Sequence, residues 1–217
     1  MVITVYSLKG GVGKTSISLN LSVELEHKLI DNDPFGGVTE LLNKGKKTKV
    51  AYLVHEDEES IPKSRNTVYD FGGFKDNRTH SILAKSDVVI IPTLHSYADI
   101  KTTVSTIKRL QDLNQKNIIV AINKVNTATK RKQGSRVWFK DFTDTEEQIK
   151  ALCSKFDIDT SKIKFIGLRD NKSWLKSTSK GKSLIELAQT SRLVEHSSKS
   201  AIEDLNSLLE QVKSYEV

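Results

Sequence analysis

The string Lys9-Gly10-Gly11-Val12-Gly13-Lys14-Thr15-Ser16 restricts the possible folds of this chain more than any other stretch. It joins an apolar run, Val2-Ile3-Thr4-Val5-Tyr6, to an amphipathic one from Ile17 to Leu25. A strand that passes through a glycine loop into a helix forms a cradle for a polyphosphate. Backbone N–H groups approach the anion where no Cβ intervenes, and the helix adds its positive N-terminal end. Gly10, Gly11 and Gly13 supply the bare backbone, with Val12 between them and Ser16 closing the string. Lys14 is spaced to reach β- and γ-phosphate oxygens, and the Thr15 hydroxyl, one residue into the helix, is placed to ligate Mg²⁺.

The rest of the chain alternates apolar runs with helical periodicity, the order of a parallel α/β architecture. Strands are expected at Val2–Tyr6, Lys28–Ile30, Thr67–Tyr69, Asp87–Ile91, Asn117–Ile122 and Lys164–Ile166, with a further short one around Val50–Val54 in the otherwise loop-like residues 43–66. Runs such as Val88-Val89-Ile90-Ile91 suit strands covered by helices on both faces. Helices are expected near Lys14–His27, Asp99–Gln115, Glu146–Phe156 and Ser198–Ser214, and Thr127–Gly134 reads as an exposed connection. The expected fold is a doubly wound, mostly parallel sheet, one P-loop domain over residues 1–217.

Two further elements end expected strands in carboxylates. In a doubly wound sheet ligands bind at the carboxyl ends of the strands, so Asp31 and Asp33 of Leu29-Ile30-Asp31-Asn32-Asp33-Pro34 should share the crevice of the phosphate loop. Alternate positions on an extended segment point one way, which lets both acids project toward Mg²⁺ and an attacking water. In Thr67-Val68-Tyr69-Asp70-Phe71-Gly72-Gly73, Asp70 can hold a metal-bound water while the glycines admit the γ-phosphate. Asp87 begins its strand, the wrong end for this chemistry.

Charge is concentrated. Of the net +7, residues 124–182 alone carry 15 basic against 7 acidic side chains. Lys130, Arg131, Lys132 and Arg136, then Lys172, Lys176, Lys180 and Lys182, lie in this block, which would attract a polyanion by counterion release without reading bases. The single cysteine, Cys153, excludes an internal disulfide, a CxxC metal or redox motif and a cysteine-held iron–sulfur cluster. No apolar run approaches the ~20 residues of a membrane span. With the first strand beginning at Val2, a cytoplasmic protein is expected.

The strict P-loop pattern would place glycine at position 8, where this chain has Leu8, and it adds Lys9. This K-G-G-x-G-K-[ST] form resembles the deviant Walker A box of the ParA/MinD ATPases. The likeness continues in order: Asp31-Asn32-Asp33-Pro34 is similar to the D-x-D-P-Q box, with Phe35 in place of glutamine. Asp70-Phe71-Gly72-Gly73 resembles a Walker B and switch II segment, and Ser86-Asp87-Val88-Val89-Ile90-Ile91-Pro92 resembles S-D-x-V-I-I-P. The resemblance implies that Lys9 crosses a dimer interface to the partner's ATP, that Asp33 orients the hydrolytic water and that Asp31 lies near the metal's hydration shell. It also implies that Asn123 flanks the base and that Arg169 belongs to the base loop, although Leu168 stands where the family's I-P-R pattern has proline. The implied protein is a small ParA-type switch that forms a homodimer on ATP–Mg²⁺ and binds DNA non-specifically at the nucleoid. A centromere-binding ParB-type adaptor would join it in plasmid or chromosome partition. The alternatives are a MinD-like membrane-associated positioning ATPase, disfavoured by the acidic C-terminal helix, and a P-loop cofactor-biosynthesis ligase.

Overall fold

The computed structural model describes residues 1–32, 51–53, 59–73, 76–128, 130–133 and 136–216. Val2–Tyr6 forms β1 and passes through the glycine loop into helix α1, Lys14–Glu24. Strands β2 (Lys28–Asp31), β3 (Ala51–Leu53) and β4 (Thr67–Phe71) come next. A 3₁₀ turn at Asn77–Thr79 leads into α2, His80–Lys85. Then come β5 (Val88–Thr93), α3 (Tyr97–Asp112) and β6 (Ile118–Val125). The chain continues through β7 (Lys130–Gln133), β8 (Arg136–Phe139), α4 (Lys140–Lys155) and β9 (Lys164–Arg169). Helices α5 (Ser173–Ser179), α6 (Leu184–Ala188) and α7 (Arg192–Lys213) complete it.

Seven strands make one sheet in the order β3-β2-β4-β1-β5-β6-β9, and every pairing in it is parallel. The expected doubly wound parallel sheet is therefore present. The winding reverses at β1, with β2, β3 and β4 on one side and β5, β6 and β9 on the other. Such a reversal opens a crevice at the carboxyl ends of the strands.

The two-residue period of the strands explains the β-branched runs. Ile3, Val5, Val68, Val88, Ile90, Ile119 and Ala121 face a core shared with α1, α5, α6 and α7. The alternate residues Tyr6, Tyr69, Phe71, Val89, Ile91, Val120 and Ile122 face a second core shared with α2, α3 and α4. Both faces are covered, so polar alternation is absent.

Three expectations change. Thr127–Gly134, read as a connection, contains β7, which pairs antiparallel with β8 as a separate two-stranded ribbon. Helix α4 begins at Lys140 rather than Glu146, and α7 at Arg192 rather than Ser198. Asp87 serves the fold, its carboxylate accepting from the Val2 N–H at 2.6 Å to hold the start of β1.

Candidate nucleotide-binding site

The glycine loop connects β1 to α1 at the winding reversal. Gly11 (φ 74°) and Gly13 (φ 99°) have left-handed backbone that a side chain would strain. Gly13 is the N-cap of α1 and lends the helix no side-chain acceptor, and the first turn contains no acid. The turn's N–H groups and the helix dipole thus favour an anion at the loop.

Leu8 has a structural role in place of the missing glycine. Its side chain packs against the second core, and its N–H reaches the Thr106 hydroxyl on α3 at 3.4 Å. The two loop lysines differ in environment. Lys14 is buried, with Nζ donating to the Lys9 carbonyl at 3.1 Å, inside its own loop. The Lys9 side chain is 44% exposed and lies on the outer rim, its Nζ 3.9 Å from an Asp99 carboxylate oxygen at the start of α3.

Asp31 and Asp70 end adjacent strands and are register partners, with exposures of 0% and 2%. The Asp70 segment then runs against the phosphate loop: a Cβ at Gly73 would lie 3.3 Å from the Leu8 carbonyl and 3.5 Å from the Gly10 nitrogen. Asn32, which no sequence motif singles out, fastens the two acidic segments together. Its side-chain oxygen accepts from Gly72 N–H at 2.8 Å, its N–H donates to the Asp70 carbonyl at 3.2 Å, and its amide reaches Asp76 at 3.4 Å. Burial alone would raise the Asp76 pKa, but hydrogen bonds and charge from Arg78 hold it below the ordinary carboxylate range. An amide lying between two acids at a strand end is the only sequence signal for this link. Asp33 lies outside the described residues.

Asn123 ends up beside the loop, with both ends of its amide engaged. Nδ2 donates to the Val12 carbonyl at 3.0 Å and Oδ1 accepts from Lys124 N–H at 2.8 Å. A Cβ at Gly13 would come within 2.4 Å of that Nδ2, so the contact itself requires glycine there. Arg169 is likewise occupied. Its guanidinium bonds Asp204 (2.9 Å), Glu203 (2.9 Å) and the Ser200 carbonyl (2.7 Å) on α7, and its N–H bonds Asp204 at 2.7 Å. Both residues border a cleft of about 320 Å³ whose walls include Gly11, Gly13, Leu168, Trp174 and Leu175. Apolar walls beside a phosphate cradle suit a planar base.

Among the described residues no group of three or more His, Cys, Asp or Glu side chains assembles a metal site by itself. Thr15 in the first turn of α1, with Asp31 and Asp70 across the loop, fits Mg²⁺ of the kind that keeps most of its shell as water and phosphate oxygen. Of the basic positions singled out, Lys172 borders the cleft beside the phosphate loop. Lys130, Arg131 and Lys132 are on β7 and Arg136 is on β8; Lys172, Lys176 and Lys180 are exposed on or beside α5, and Lys182 is partly covered. No helix among the described residues is long and apolar enough to cross a membrane.

Comparison with known proteins agrees with this geometry. The model of the CobQ/CobB/MinD/ParA nucleotide binding domain matches residues 3–137. The maintenance of carboxysome distribution protein A of Halothiobacillus neapolitanus is 28% identical over 130 residues, covering 53% of this chain and 60% of that protein. The match thus spans less than two thirds of this relative's length. Apo McdA from Cyanothece superposes with a TM-score of 0.60 at 14% identity, covering 94% of this chain and 98% of that one. The MinD cell division protein of Aquifex aeolicus gives 0.60 at 15% identity, covering 96% and 97%. A ParA family ATPase from Chlorobium tepidum gives 0.53 at 17%, covering 93% and 97%. These three likenesses are in the fold.

Proposed function

The chain belongs to the CobQ/CobB/MinD/ParA nucleotide-binding domain family, and from that premise we propose that it is an ATP-hydrolysing, dimerising switch that binds DNA non-specifically and positions a cargo along it. The observation that carries this reading is the pair of loop lysines. Lys14 is buried in the cradle of its own chain, while Lys9 is exposed on the rim, where it can act on a second subunit. Phosphoryl transfer needs little covalent chemistry from the protein; it needs positioning and stabilised charge at the γ-phosphate. Gly10 to Ser16 would hold the phosphates, and Asp33 would orient the water. Thr15, Asp31 and Asp70 would hold Mg²⁺ through oxygen and water. The metal neutralises charge on the β- and γ-oxygens when bound with ATP.

The whole chain acts as one such domain in this reading, with a ParB-type adaptor supplying site-specific DNA recognition. The cargo is a plasmid, a chromosome or, as the name of the Halothiobacillus relative suggests, a protein assembly. ATP turnover by the purified protein, measured with and without duplex DNA and with Mg²⁺ chelated, tests the proposal. Mg²⁺-dependent hydrolysis to ADP and phosphate together with ATP-dependent DNA binding is expected. Turnover that requires a small acid or amine and ignores DNA would instead identify a ligase.

A further inference from the structure

Helix α5 and its flanks place Lys172, Leu175, Lys176, Ser179 and Lys180 at helical spacing, all exposed, while Ser173, Trp174, Ser177 and Thr178 on the opposite side are buried. No acid interrupts the stretch between Asp170 and Glu186. The result is a cationic face with one apolar residue, Leu175, which together with Lys172 also forms part of the nucleotide cleft wall.

The buried side of this segment is fastened to the phosphate-loop helix at two points. The hydroxyls of Thr178 and Ser16 hydrogen bond at 2.8 Å, and Ser16 stands in the first turn of α1. Asn20, fully buried one turn further along α1, donates from Nδ2 to the Ser16 carbonyl at 2.7 Å and accepts the Leu184 N–H at the start of α6 at 2.7 Å. The segment that bears the lysines is thus held at Thr178 and at Leu184 by residues of α1. Directional bonds tolerate little displacement here, because Thr178 and Asn20 are buried and a broken bond would leave a desolvated donor or acceptor on their side.

We propose that the lysine face of α5 is the surface that contacts the DNA phosphodiester backbone, and that the nucleotide controls it through the Ser16–Thr178 hydroxyl pair. The inference rests on the DNA-binding switch proposed above and names the surface and its control. A phosphate bound at the first turn of α1 engages the segment that contains Ser16, and the change passes to α5 through the hydroxyl pair rather than through the solvent. Duplex DNA suits this face better than a lipid surface: three exposed lysines match a row of phosphates, whereas an interfacial helix needs an apolar face and α5 offers one exposed leucine.

The test compares the full-length wild type, the double variant Lys176→Ala/Lys180→Ala, Thr178→Val and Thr178→Ser. DNA affinity is measured against salt with ATP and without nucleotide, ATP affinity in parallel, and binding to phosphatidylglycerol vesicles as a separate arm. The double variant is expected to keep ATP affinity, to lose tenfold or more in DNA affinity at moderate salt, and to show a log–log salt slope shallower by about 2, near 0.9 for each phosphate contact removed. Thr178→Val is expected to bind ATP within about twofold of wild type yet lose most of the ATP-induced gain in DNA affinity, and Thr178→Ser to retain it. An unchanged slope in the double variant, when wild type binds DNA, overturns the surface assignment. A full ATP-induced gain in Thr178→Val overturns the coupling. Wild type that binds vesicles or nothing, and no DNA in the presence of ATP, removes the DNA-binding reading itself.

Discussion

Asn123 borders the cleft beside the phosphate loop, and its hydrogen bonds give it a second role there. Near the end of the sixth strand it reads as a residue that flanks the base, and its amide bonds the Val12 carbonyl and the Lys124 N–H. It braces the phosphate loop. Removing one such hydrogen bond costs about 1 kcal/mol, and an orphaned carbonyl adds to that. Asn123→Ala should therefore weaken ATP and ADP alike by about tenfold, roughly 1.4 kcal/mol, without altering the preference for ATP over GTP. Titration of the three nucleotides decides the matter, since a collapse of adenine preference at undiminished ADP affinity would restore the base-reading role. The loop's own residues were legible because their chemistry is local: glycine for positive φ at 11 and 13, lysine for phosphate. Partners such as Ser16 with Thr178, or Asn32 with Gly72, were not, because only the folded sheet brings together residues far apart in sequence.

Among the elements, those with a strong period were readable and those without it were not. The buried parallel strands announced themselves as unbroken β-branched runs, because both of their faces meet helices. The first turns of α4 and α7 escaped detection for the opposite reason. Lys140–Asp144 offers the core only Phe142 and Arg192–Ser197 buries no side chain fully; they extend the amphipathic turns on their C-terminal side, and in α7 the Ser191 hydroxyl also caps the Val194 N–H. The ribbon strands read Lys-Arg-Lys-Gln in β7 and Arg-Val-Trp-Phe in β8, a pattern without clear two-residue alternation. The same reasoning assigns α7 to the core rather than to a lipid surface, since Ala201, Leu205, Leu208 and Val212 are all fully buried against the sheet. Leu208→Ala should cost about 3 kcal/mol in urea unfolding, within the usual range for a buried leucine, and the full chain should not float with anionic vesicles. Wild-type stability in that variant would show that the stripe is not packed.

At the scale of the whole molecule, the parallel sheet gathers the phosphate loop, Asp31, Asp70 and Asn123 at one edge, and it leaves Lys9 on the outside of that edge. The contrast with Lys14 is the argument for a partner. A second lysine meant for the same phosphates would be drawn into the cradle, whereas Lys9 is separated from Lys14 by the loop's own backbone and lies 3.9 Å from Asp99 across its rim. Asp99 is buried but the lysine end of the pair is open to solvent, and 3.9 Å is long for an ion pair, so the contact is loose and a nearby triphosphate can compete for Lys9. In the proposed switch a monomer would therefore keep an intact cradle without Lys9, whereas a dimer would need it. Lys9→Ala should bind ATP within a fewfold of wild type while failing to dimerise on ATP and failing to hydrolyse it. Sizing with and without ATP, run beside a turnover assay, separates the outcomes. Wild type is expected to move from a 24.3 kDa species to one of twice that mass while the variant stays put. Undiminished turnover in Lys9→Ala would mean that the rim lysine serves no second subunit, whatever the rest of the loop binds.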